Sequence, residues 1–139
     1  MNTQVINQTT NNDNLLAINY SAPAKKKVST LKYDKRNEVL NISSSHLEPL
    51  SVATYFKATQ VIKYHLQSKE SLHVHISLIK YNASSIKGLM NIFNALNHKW
   101  KVGKEVSVSW ITPWDDDEVF DLAYDFSELF DFPVDIIPG

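Results

Sequence analysis

Cysteine is absent from the 139 residues, which excludes disulfides, thiolate metal sites and a cysteine nucleophile. Glycine is nearly absent: Gly88, Gly103 and Gly139 lie too far apart to form a loop that cradles phosphate. No run of about 18 apolar residues occurs, so no helix is expected to span a membrane. The N-terminus lacks a basic-then-apolar leader, its first charged residue being Asp13, and the expected compartment is the cytoplasm. Basic side chains are missing from one stretch. Residues 106–139 hold nine acids and no Lys, Arg or His, whereas residues 1–105 hold six acids and all fourteen Lys and Arg, a balance of −9 against +8. Such polarity predicts one acidic surface, unsuited to nucleic acid.

What is present suffices for one packed core, with 43% of residues apolar and 21% charged. Residues 1–27 are polar and aperiodic, rich in Asn, Thr and Gln before Lys25–Lys27, and read as a flexible tail; residues 28–139 read as the domain. "TLKYD" and "EVLNIS" form two strand-like runs joined by Lys35, Arg36 and Asn37. After Pro49, with Ser51 as cap, Val52, Tyr55, Thr59, Ile62 and Leu66 recur at helical spacing. "SLHVHISLIKY" alternates Leu72, Val74 and Ile76 with His73, His75 and Ser77, a half-buried strand ending at Tyr81. Ile86, Leu89, Phe93, Leu96 and Trp100 mark a second helix closed by Gly103. A strand "EVSVSWI" follows, then an acidic helix with Val119, Leu122, Phe126 and Leu129 as its stripe, then "PVDII". The order β-β-α-β-α-β-α-β predicts an α/β domain, a mixed sheet of about five strands covered by about three helices.

Catalytic signals are weak. His73 and His75 share a strand face without an apparent third ligand, and Asp115–Glu118 reads as the charged first turn of a helix. A metal-dependent hydrolase built on these groups is the enzymatic alternative, and no cofactor is expected. The junction Tyr81–Lys87 stands apart, because a strand there gives way to a helix starting among Asn82, Ala83, Ser84 and Ser85. Helix starts stabilise anions through unpaired N–H groups. A phosphate on a hydroxyl there changes the surface charge by about −1.5 to −2 without a change of fold. The plainer reading makes Ser84 or Ser85 an ordinary N-cap.

"YNASSIKGLMNIFNAL" resembles the central segment of the SiaC family of bacterial regulatory phosphoproteins, in which a strand ends in an Asn-Thr-Ser-Ser turn followed by Lys and a helix. "KEVSVSWITPWDDDEVFDLAYDFSELFDFPVDIIP" is similar to that family's C-terminal half, and the likeness spans about residues 29–138. The resemblance implies a fold like that of anti-sigma-factor antagonist (STAS) domains and a non-enzymatic partner switch. On that resemblance, a Ser/Thr kinase is expected to phosphorylate the turn and a phosphatase of the PP2C type to reverse this, the unmodified form binding and activating a diguanylate cyclase, in cyclic di-GMP signalling and biofilm formation. The implied partner-binding residues are Tyr81, Asn82, Ser84, Ser85, Ile86 and Lys87; no nucleic acid or membrane partner is implied. Two departures stand out. The family's phosphoacceptor Thr falls on Ala83, which leaves three readings: a replacement that locks the unphosphorylated form, a lost switch, or an acceptor moved to Ser84 or Ser85. "SHLEPLS" at 45–51 lacks the family's Tyr-Pro-Glu-Asn-Ser run. The rival binding class is an anti-sigma-factor antagonist that captures a kinase-type anti-sigma factor.

Overall fold

A computed structural model describes residues 20–21, 29–44 and 48–139. Residues 1–27, which read from sequence as a flexible tail, therefore lie almost wholly outside the described residues, as do Ser45, His46 and Leu47 of the departing 45–51 run. Strands β1 (Tyr20–Ser21), β2 (Ser29–Asp34), β3 (Val39–Ser44), β4 (Ser71–Ser77), β5 (Glu105–Thr112) and β6 (Val134–Pro138) form one sheet in chain order. Helices α1 (Val52–Ser68), α2 (Ala83–Lys101) and α3 (Asp117–Leu129) connect its last four strands. The first two pairings are antiparallel and the remaining three parallel, which makes the mixed sheet expected from the sequence. The two-residue β1 is a further strand, paired with β2 at the sheet edge.

The β2–β3 turn is closed by Asp34, whose carboxylate accepts from the Asn37 backbone N–H at 3.0 Å and from its side-chain amide at 2.8 Å. Those bonds hold the Asp34 carboxyl below its usual range. Glu38, read from sequence as the first strand residue, instead sits in the turn at φ 60°. That left-handed backbone is retained alongside two anchors: its carbonyl accepts from His73 N–H at 2.9 Å and its carboxylate accepts from the Ser71 hydroxyl at 2.6 Å.

Each parallel strand lies beside its predecessor in the chain. Right-handed crossovers that always step the same way place every helix on the same side of the sheet. Burial follows that rule. Leu72, Val74 and Ile76 of β4 and Val106, Val108 and Trp110 of β5 are buried beneath the helices, while His73, His75 and Ser107 on the other face remain partly exposed. Phe93 of α2 is fully buried and meets the rings of Trp110, Phe126, Phe130 and Phe132 at centroid separations of 4.9–5.9 Å.

Three stripe residues differ from the sequence expectation. Val52 and Leu129 are 66% and 62% exposed, and Ile86 is 37% exposed. Val52 and Leu129 occupy the terminal turns of α1 and α3, and Phe130 and Phe132 take the core positions that Leu129 leaves. Gly103 ends α2 as expected, with φ 98° just beyond the Val102 cap.

Candidate functional site

The strand-to-helix junction after β4 is built from two sets of hydrogen bonds. β4 ends at Ser77, four residues before the end read from sequence, because the next backbone groups turn to a side chain on β3. The buried Ser44 hydroxyl accepts from the N–H groups of Ile79 and Lys80 at 3.0 and 3.3 Å, and lies 3.4 Å from the Lys80 carbonyl. This fastens the connecting segment to the end of β3.

The helix cap is the second set. Asn82, with extended backbone, is the N-cap; the structure replaces the expected Ser84 or Ser85 cap. Its Oδ1 accepts from the Ser85 N–H at 2.9 Å, while the Ser85 hydroxyl accepts from the Asn82 N–H and donates to Asn82 Oδ1, both at 3.1 Å. This reciprocal arrangement satisfies two donors that a helix start otherwise leaves open. Ser85 is fully buried by it. Ala83, Ser84, Ile86 and Lys87 are exposed, and Tyr81 is half-buried. The structure thus gathers the six residues singled out from sequence around one corner, but splits them: Asn82 and Ser85 hold the corner, and Ser84, Ile86 and Lys87 face outward.

Beneath the corner lies Tyr55 of α1. A Cβ on Gly88 would come within 2.4 Å of the Tyr55 ring, so only glycine permits this approach of α1 to α2. The Tyr55 hydroxyl is buried without a hydrogen-bond partner among the described residues. Burial pushes its phenol up to about 12, against a small opposing influence of the Ser85 hydroxyl. On the other side, burial and then the carboxylates of Glu118 and Asp116 raise the Tyr81 phenol, so the acidic start of α3 flanks the corner.

From Ser84 and Lys87 a groove of about 970 Å³ runs between α1 and α2. The exposed Phe56 and Val52 line its near end, and Lys63, His98 and Lys99 lie further along. Sequence reading missed this groove. A Val52–Phe56 spacing of four residues was its signal, two apolar residues one turn apart on α1.

The open sheet face is a hydrogen-bonded surface. His73 has both ring nitrogens engaged, Nδ1 with the Ser107 hydroxyl at 2.6 Å and Nε2 with that of Ser109 at 2.9 Å. Burial, then the neighbouring His75, lowers the His73 pKa. Among the described residues, no three His, Asp or Glu side chains are arranged to hold a metal. Asp116 is the N-cap of α3, accepting from the Val119 N–H at 3.1 Å, with Asp117 and Glu118 in the first turn. No helix among the described residues is long and apolar enough to cross a membrane.

A family model described as SiaC family regulatory phosphoprotein matches residues 22–139. No curated protein sequence matches the chain. Among solved structures, apo-SiaC from Pseudomonas aeruginosa is 24% identical with a TM-score of 0.70, over 86% of this chain and 98% of that one. A chain of the crystal structure of the diguanylate cyclase SiaD in complex with its activator SiaC, from the same organism, is 21% identical with a TM-score of 0.75, over 88% and 99%. At these identities the likeness establishes the fold.

Proposed function

The chain belongs to the SiaC family of regulatory phosphoproteins, and from that membership we propose that it is a non-enzymatic, cytoplasmic partner switch that binds and activates a diguanylate cyclase while the turn 82–85 is uncharged. The observation that carries this reading is the corner itself, where Ala83 and Ser84 stand exposed on the first turn of α2 over a cap that needs neither of them. A negative group there is stabilised by the helix dipole and leaves the fold intact, while it places charge in any interface formed by the corner and its neighbouring helices. The cyclase partner is suggested by the structure of a SiaC bound to the cyclase it activates.

Ala83 carries no hydroxyl, and the Ser85 hydroxyl is buried and bonded to Asn82 through both donor and acceptor. A Ser/Thr kinase therefore finds only Ser84 among these three positions, and without modification there the chain rests in the binding-competent form. A phosphatase of the PP2C type completes the cycle. Lys87, one turn on, faces the same surface and screens the added charge.

Incubation with a candidate Ser/Thr kinase, read by intact mass, tests the regulation. A single phosphate on the protein that disappears in Ser84→Ala places a live switch at Ser84. A phosphate gained only by Ala83→Thr makes the chain a locked activator, and none on either removes the kinase from the account. Partner capture tests the target: recovery of a kinase-type anti-sigma factor in place of a cyclase would transfer the chain to the anti-sigma-factor-antagonist class.

A further inference from the structure

The two helices that border the corner have a composition of their own. α1 and α2 together contain no Asp or Glu, yet carry Lys57, Lys63, Lys87, Lys99 and Lys101. Among the described residues, the groove between them accordingly has no carboxylate in its lining. The charges that the described residues bring to it are the ammonium groups of Lys63, Lys87 and Lys99, interleaved with the amides of Asn91 and Asn94. Phe56, 65% exposed, provides an apolar end beside the corner. Anions are thus attracted along its length, and one apolar side chain has a place to bury.

We propose that this groove seats an acidic amphipathic helix of the partner protein, one that sets an apolar residue against Phe56 and Val52 and carboxylates against Lys63 and Lys99. From Val52 to Gln67 of α1 the groove's lining spans about 22 Å, the length of about four helical turns. Two parallel helices with a channel between them suit a third helix, and i, i+4, i+7 anchors are how such a helix is read. Nucleic acid fits less well, since the acidic start of α3 flanks the corner where the groove opens. That the helix belongs to the cyclase rests on the function proposed above; the groove's preference for an acidic helix does not. Because Ser84 and Lys87 line the same groove, a phosphate on Ser84 would repel the carboxylates that the lysines attract.

The test uses two 18-residue helix-forming peptides with the same Leu/Phe stripe, one flanked by glutamates and its twin by lysines. Each is titrated into the full chain by amide NMR at low salt. The proposal expects shifts at Lys63, Asn91 and Asn94 with the acidic peptide and binding at least tenfold weaker for the basic twin. It also expects at least a tenfold loss in the folded Lys63→Glu/Lys99→Glu variant, with Lys32→Glu on β2 as a neutral control. Equal binding of both peptides, or of both proteins, overturns it, as does Lys63-dependent binding to vesicles containing phosphatidylglycerol without binding to the acidic peptide. A parallel titration with the cyclase separates the two ideas. A cyclase that binds the charge-reversed variant as tightly as the original chain docks elsewhere and overturns the groove as its seat. If no cyclase binds while the acidic peptide does, the groove stands and the cyclase reading falls.

Discussion

Gly88 sits where a methyl group would lie 2.4 Å from the ring of Tyr55, a residue that is itself 3% exposed and has no room to retreat. Gly88→Ala gains about 1 kcal/mol of helix propensity. Overpacking of a fixed aromatic ring costs about 1–3 kcal/mol and outweighs it. Urea unfolding should show a lower midpoint for the variant; an unchanged or higher midpoint would mean that α1 and α2 are not in contact there. A second residue-scale expectation concerns pH. His65 is buried, with Nδ1 accepting from the Tyr33 hydroxyl and Nε2 donating to the Ser71 carbonyl at 2.8 Å. Burial holds its pKa below the ordinary 6.5, and the same cause acts on His73. The unfolded chain therefore binds more protons than the folded one just below pH 6.5, and stability falls as pH drops through that value toward the folded pKa values. Urea midpoints between pH 8 and pH 5 should decline on the acid side and be flat above about pH 7.5. A midpoint that rises on acidification would contradict the neutral His65 inferred from its two hydrogen bonds.

At the scale of elements, the start of α2 is the most informative. Asn82→Ala removes the cap, worth about 1 kcal/mol. It also takes the Oδ1 acceptor from the buried Ser85 O–H, while the bond from the residue 82 backbone N–H remains, and this adds a desolvation cost of about 1 kcal/mol. The loss should therefore clearly exceed that of an exposed neighbour such as Ser84→Ala, as measured by denaturant unfolding; equal losses would reassign the cap. Much of this level was legible beforehand. Strict alternation in 71–77, helical spacing in 86–100 and Gly103 after the last turn each follow from local chemistry, and the structure keeps them. The misses have long-range causes. Asn82 and the two serines are all good caps by type, and only the approach of Ser85 to a buried position selects Asn82. The early end of β4 depends on Ser44, more than thirty residues away in the chain, and nothing in "LIKY" announces it. Val52 and Leu129 are exposed in the terminal turns of their helices, and spacing within a helix does not encode that.

Over the whole molecule, one hydrophobic layer joins a one-sided set of helices to the sheet, and Phe93 is its hub. Phe93→Ala should cost about 3–5 kcal/mol, enough to unfold a marginally stable domain; thermal melting that drops by only a degree or two would argue against the four-ring cluster around it. The same one-sidedness separates functions. On the sheet face away from the helices His73 is hydrogen-bonded to Ser107 and Ser109, and the corner, the groove and the acidic flank all gather on the helical side. The charge asymmetry seen in the sequence was real, but its meaning was not readable there, because only the fold brings the start of α3 beside Tyr81. The measurement that most directly tests the central claim is the rate of cyclic di-GMP synthesis by a candidate partner diguanylate cyclase, titrated with this chain and with Ala83→Glu. A glutamate at the first helical position suits the dipole, so the variant keeps its fold while charging the turn. The account predicts activation by the chain as it stands and a loss of roughly tenfold or more in the variant. Equal activation by both proteins would contradict it.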